Sequence, residues 1–326
     1  MTASLPPVIQ DVFARFITTE YTTVDASEQP IAWPVTPYYR PGGPTIDITT
    51  GLGYPKKAND ARANPKVALL FSDPTGCGVP DPPMVLVQGT AEVNDHDLVA
   101  NRERYAHESA VKLPGAQSLQ PPAPMRRFFS WYYTRIYVHV RPERIYVWPQ
   151  ADIAVEPLLY GSHMEEVRSG HSEEADLPHA EPEGGAATWD ARVAELGSRY
   201  TSAALAFVAP DGFPFTVRVA VRADPANRRV RIAALPTGTP IVAGPGCLTA
   251  HDHAPDFRWQ RNFQIRGDLQ QDDQGWWLSP HRLVGGFEMP PTSTLARYRL
   301  NLRKTLRFRS TASRELARMR AERSMR

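Results

Sequence analysis

The chain contains a strand-rich module twice. VRPERIYVW, from Val140 to Trp148, aligns without a gap with LSPHRLVGGF from Leu278 onward, matching Pro142 to Pro280 and Arg144 to Arg282. MVLVQGTAEV aligns with NFQIRGDL and sets Gly89 against Gly267. PKVALLFSD matches GPGCLTAHD in the same relative place. Three matches in one order describe duplication of a whole module, not a short stacked repeat. A fold for this chain must therefore be built from two similar β-rich units.

The 326 residues are enough for two domains, and 42% apolar with 22% charged residues is the balance of a chain that buries a core. Two cysteines, Cys77 and Cys247, argue against a disulfide scaffold and fit a reducing, cytoplasmic setting. The start MTASLPPVIQ has no charged segment followed by an apolar one, so no secretory signal is expected, and no run reaches the length of a membrane span. Charge is uneven. Arg297 to Arg326 holds eleven Lys/Arg against two Asp/Glu, although the whole chain is only +2, so the remainder is net acidic.

Apolar residues at Leu5, Val8, Ile9, Val12, Phe13 and Phe16 have helical spacing. Strands are expected at Thr18 to Val24, Pro30 to Pro37, Ile46 to Thr50, Val67 to Ser72 and Met84 to Val93. A helix is expected at Asp97 to Lys112, capped by Asp95 or Asp97. Met125 to Tyr133 reads as another helix, and Arg135 to Val140 with Arg144 to Trp148 as a hairpin. Residues 161–188 are rich in acids, Gly and Pro and read as a solvated linker. After it come a helix at Trp189 to Leu196 and a strand pair around Pro210-Asp211-Gly212.

The chemistry is concentrated in TIDITTGLGYPKKANDARANPKVALLF, starting at Thr45. A strand runs into a Gly/Pro turn that ends in Lys56 and Lys57. Two lysines at a tight turn, where backbone N–H groups are free, suit a phosphate. An ordinary solvated turn would look the same. The second copy has LPTGTPIVAGPGCL there, with no Lys or Arg between Arg231 and Arg258.

TTGLGYPKKANDARANPKVALLF followed by VQGTAEV resembles the flavin/deazaflavin split β-barrel family, also called pyridoxamine 5′-phosphate oxidase-like, over most of residues 8–149. The resemblance implies that Lys56 and Lys57 bind the terminal phosphate of FMN, or that of the deazaflavin coenzyme F-420. It implies that Thr49 and Thr50 bond phosphate or ribityl oxygens, that Trp33, Pro34, Val35 and Thr36 line the ring, and that Met84 approaches the cofactor. The Trp and Arg-x-His substrate cluster of the vitamin-pathway oxidases has no copy here. A flavin carries its own hydride chemistry, so no protein nucleophile is required. No Gly-x-Ser-x-Gly, His-Glu-x-x-His or Walker motif is present.

Histidines offer a weaker signal. His163, His171 and His179 lie in the linker without ligand spacing. His251 and His253, with Cys247, would suit a metal or haem ligand, but a structural role is the simpler reading. The basic tail, with Leu295, Tyr298, Leu302 and Leu306 near helical spacing, would bind nucleic acid or an anionic membrane, or cover the acidic body.

The expected architecture is mainly β with short helices (α+β). It comprises a split barrel over residues 1–158, a linker over 159–187, a degenerate second barrel over 188–292 and a basic, partly helical tail over 293–326. The expected function is a flavin-dependent oxidoreductase acting on a small molecule. A deazaflavin-dependent reductase is the alternative, and a flavin, haem or nucleic-acid binder the rival. One cofactor per chain is expected, walled by Arg258 to Arg266 or the His251–His253 loop, unless a homodimer supplies that wall.

Overall fold

The computed structural model describes residues 5–113, 115, 129–161, 191–288 and 294–324, with side chains omitted at 286–288 and 294–304. Residues 162–187 of the expected linker, with its three histidines, lie outside the described residues, as does most of the helix expected from Met125, while 159–161 are strand and not linker.

The first half runs α1 (Pro7–Arg15), β1 (Thr19–Val24), β2 (Pro30–Val35), β3 (Tyr38–Tyr39), β4 (Ile46–Gly51), α2 (Lys56–Ala63), β5 (Lys66–Phe71), β6 (Met84–Asn94), α3 (Leu98–Lys112), α4 (Ser130–Tyr133), β7 (Arg135–Trp148) and β8 (Leu158–Gly161). The second runs α5 (Ala191–Ala194), β9 (Ser202–Val208), β10 (Pro214–Asp224), β11 (Arg229–Ala234), β12 (Gly244–His253), β13 (Gln260–Asp272) and β14 (Gly275–Glu288). A long helix, α6 (Thr294–Ser324), ends the described chain.

The strand orders show the duplication. The first sheet is β2-β1-β5-β6-β7-β4-β3, with β8 beside β7. The second is a closed barrel, β10-β11-β14-β13-β12-β9. Replacing β1, β2, β4, β5, β6 and β7 by β9, β10, β11, β12, β13 and β14 converts one order into the other. The difference is closure. β10 pairs with β11, whereas β2 has no ladder to β4, so the first barrel is split there. The fold is two tandem split-barrel modules followed by a helix.

Register carries the repeat to single residues. Gly89 lies opposite Pro142 at a shift of the β6–β7 ladder. Gly267 lies opposite Pro280 at the same kind of shift between β13 and β14. A Cβ on Gly89 would collide with the carbonyl oxygen of Arg141, and one on Gly267 with that of Ser279. Only glycine permits this approach. The expected hairpin around Arg141-Pro142-Glu143 is instead one strand, because the bulge absorbs the proline without reversing the chain.

Hydrophobic burial follows the pattern. Ile9, Val12 and Phe13 of α1 plug one end of the first barrel, which is filled by Ile46, Ile48, Leu69, Phe71, Val85, Val87, Ile136 and Val138. Each such side chain stabilises by roughly 1.5–3 kcal/mol. The second core gathers Leu205, Phe207, Phe215, Val217, Phe263 and Ile265, and takes in Leu70, Met84, Leu86 and Trp148 from the first sheet. The two modules therefore share a continuous interface. Asp97 caps α3 by accepting from the N–H groups of Val99 and Ala100, a contact of about 1 kcal/mol.

Candidate functional site: two cations at the barrel split

The lysine turn follows β4, and Lys57 reaches toward Trp33 of β2, a strand that does not pair with β4. The helix α2 begins at the turn itself, so Lys56 and Lys57 open a helix and are not loop residues. No side chain caps that N-terminus, which leaves its positive end available to an anion.

The two lysines have different environments. Lys56 is half exposed and held by Asp25 (3.2 Å) and Asp60 (3.0 Å). Burial raises the Asp25 carboxyl, but bonds from Ser27 and the charge of Lys56 outweigh it and hold the group below its usual value. Lys56 is thus already paired. Lys57 turns inward. Its ammonium lies 5.7 Å from the Trp33 ring centroid and 5.5 Å from that of Tyr54, with no ion pair among the described residues. Desolvation, with a smaller push from Arg135, lowers its pKa to about 8.

Arg135 is the second cation, and the sequence reading missed it. It opens β7 opposite Gly51 and is 6% exposed. Its Nη1 donates to the Tyr54 hydroxyl at 2.9 Å. Its guanidinium lies 3.9 Å from the Tyr105 ring centroid and 4.4 Å from that of Tyr132. Its Nε is buried without a partner. Among the described residues no carboxylate stands within ion-pair distance of it. An arginine stays charged at any relevant pH, and a buried unpaired charge is costly. Two such cations beside each other mark a place for an anion.

The other expected residues divide. Trp33 joins the site, while Ala32 packs against Ala206 and Cys247 of the second barrel, so alternation turns Pro34 toward that barrel. Val35 packs on the first core. Thr36 follows β2 and is half-buried. Thr49 stands opposite Tyr137, on the face that carries Arg135. Thr50 is buried, and its hydroxyl donates to the Tyr54 carbonyl, so it shapes the turn. Met84 lies apart. It belongs to the second core and lines a separate cavity of about 490 Å³ with Phe16, Phe71, Ser72 and Pro83. No Lys or Arg lines that cavity.

The second barrel meets β2. The Ala32 carbonyl accepts from Thr249 (2.8 Å) and Gln264 (2.7 Å), and Gln264 in turn accepts from Arg266. His251 and His253 lie elsewhere along the seam. His251 Nε2 is 2.7 Å from Glu20 and its Nδ1 3.6 Å from Asp73. His253 Nε2 is 3.5 Å from Asp73 and 3.2 Å from the Thr18 hydroxyl. Arg218 donates to Glu20 (2.5 Å) and to Ser72 (2.8 Å). These histidines are tied to carboxylates across the interface. Among the described residues no group of three His, Cys, Asp or Glu is arranged for a metal ion.

The tail departs from expectation in a useful way. Leu306 is 61% exposed, so the stripe expected through it is not the one buried. Thr305, Ala312, Glu315 and Met319 are buried instead, against the first barrel and α2. No described helix is long and apolar enough to cross a membrane.

No family model and no curated protein matches the chain. Solved proteins to which it is similar include an F420 reductase (18% identity, TM-score 0.30, covering 42% of this chain and 94% of that one). Another is the haem storage protein HutZ from Vibrio cholerae (16%, TM-score 0.30, 45% and 96%). A third, from Clostridium acetobutylicum, is related to general stress protein 26 of the pyridoxinephosphate oxidase family (11%, TM-score 0.29, 44% and 85%). Likeness of this degree bears on none of the residues above.

Proposed function

We propose that the split of the first barrel holds a flavin-type cofactor and that the protein is an oxidoreductase acting on a small molecule. FMN is the first candidate, with the deazaflavin coenzyme as alternative. The observation that carries this reading is the pair Lys57 and Arg135, a half-buried ammonium and a buried guanidinium, neither in an ion pair with a carboxylate among the described residues. A terminal phosphate supplies the missing charge. The N-terminus of α2 adds its N–H groups to the same anion. Trp33 offers an aromatic wall one ring away, and Thr49 a hydroxyl on the Arg135 face.

The residues fit such a group. An orphaned guanidinium N–H and a lysine with a lowered pKa both gain from a dianion, each by a charge-assisted contact of roughly 1.5–3 kcal/mol. When bound, the flavin supplies the hydride chemistry. The chain anchors the phosphate, shields it from water with Tyr54, Tyr105, Tyr132 and Trp33, and closes one wall with β12 and β13. Lys56 pairs with Asp25 and Asp60 and so lessens their repulsion of a phosphate at the mouth. The geometry favours a wall from the same chain over one from a second chain, because Gln264 and Thr249 already bond to β2.

Titration of the purified protein with FMN and with the deazaflavin, followed by absorbance, tests the proposal. Binding that Lys57→Met weakens supports it. Absence of binding to both by the intact chain refutes it.

A further inference from the structure

The C-terminal helix is in contact with the turn that carries the anion site. Its buried stripe, Thr305, Ala312, Glu315 and Met319, is joined by half-buried Phe308 and Leu316, and follows helical spacing. Phe308 stacks on Trp131 with ring centroids 4.7 Å apart and an interplanar angle of 29°. It meets Tyr54 edge-on at 5.8 Å. Gly53 makes room for it: a Cβ there would stand 2.8 Å from Phe308 Cβ and 2.7 Å from Trp131 Cε3.

Two helical turns further on, Glu315 engages the far end of α2. It accepts from Asn59 (3.4 Å) and faces Arg62 (3.6 Å), while Arg318 bonds it from within α6 (2.6 Å). The helix thus touches the chain on both sides of Lys56-Lys57. Tyr54 is the link. One face of its ring looks toward Lys57, its hydroxyl receives Arg135, and its edge meets Phe308.

We infer that Phe308 is a positioning residue for the anion site: lodged between Trp131 and Tyr54, it fixes the Tyr54 ring and hydroxyl, and through them the two cations. The inference rests on the reading of that site given above. It assigns to the basic tail a role inside the molecule, in which the last helix tunes the affinity of the first barrel for a phosphate-bearing ligand. Without Phe308 the Tyr54 ring has a free edge, more water reaches the half-buried Lys57, and the ammonium is better hydrated. Phosphate affinity falls and the lysine titrates at higher pH.

The test is titration of the full-length chain with FMN, and separately with inorganic phosphate, across pH 6–10. Phe308→Ala is expected to weaken FMN binding about tenfold, the loss typical of a loosened supporting contact, and to move the alkaline limb of the affinity profile upward. Phe308→Tyr should restore both, and Leu306→Ala, at an exposed position, should change neither. If Phe308→Ala does not fold, Phe308→Leu keeps the apolar volume without the aromatic edge and should show the same upward shift. Unchanged affinity and an unchanged limb in the folded Phe308 variants, with binding weakened in Lys57→Met, overturn the inference and leave the site reading intact. Failure of the unaltered chain to bind either probe overturns both.

Discussion

Arg135 donates a 2.9 Å hydrogen bond to the hydroxyl of Tyr54 and has no carboxylate partner among the described residues. A neutral phenol does not balance a buried guanidinium charge, so this arginine costs stability in the absence of an anion. Arg135→Met should leave the apo protein as stable or raise its melting temperature, while weakening FMN binding by at least about tenfold. Thermal melts of apo and FMN-loaded protein measure both effects. A variant that loses stability and keeps affinity would make Arg135 a structural residue.

The lysines should separate. Lys57, with its pKa lowered to about 8, attracts an anion only while protonated, so affinity should fall as pH rises through that value. Its effect on apo stability has the opposite sign. Between about 8 and its ordinary value the unfolded chain binds the extra proton, so stability rises with pH there. Lys57→Met should abolish the pH dependence of binding. Lys56, half exposed and paired with Asp25 and Asp60, should matter by less than about 1 kcal/mol when replaced by Met.

The seam between the modules is acid-sensitive. Burial alone would raise Glu20, but Arg218, His251 and Ser72 pull it down from 4.5 to about 2. A carboxylate lowered in this way contributes stability above its unfolded value, and that stability is lost as pH falls from 4.5 toward about 2. The shift corresponds to on the order of 3 kcal/mol. Glu20→Gln should cost a comparable amount at neutral pH and flatten the acid limb of a denaturation profile.

The two bulges should be equally intolerant. Gly89→Ala and Gly267→Ala each drive a Cβ into a backbone carbonyl, which no side-chain rotation relieves. Each should destabilise by about 3 kcal/mol or more, read from urea denaturation. Tolerance of either change would mean that the shared ladder is not what fixes the repeat.

Those glycines also explain what the sequence could reveal. Gly89 with Pro142 and Gly267 with Pro280 are local requirements of backbone geometry, so they remain visible in an alignment of the chain with itself. Lys56-Lys57 was visible as a dipeptide at a turn. Which lysine is free was not, because that depends on Asp25, thirty-one residues earlier in the chain. Arg135 was hidden for the same reason: Tyr54, Tyr105 and Tyr132 reach it from three separate elements. The packing of α6 was illegible because its buried stripe includes Thr305 and Glu315, polar residues that gave no amphipathic signal.

The central claim is that Lys57 and Arg135 together hold the phosphate of a flavin-type cofactor. Isothermal titration of FMN into the intact chain, Lys57→Met, Arg135→Met and the double variant addresses it directly. The account predicts binding by the intact chain, a loss in each single variant, and a loss in the double variant smaller than the two combined, because both cations grip one group. Full affinity in the double variant, or no affinity in the intact chain for FMN or the deazaflavin, would contradict it.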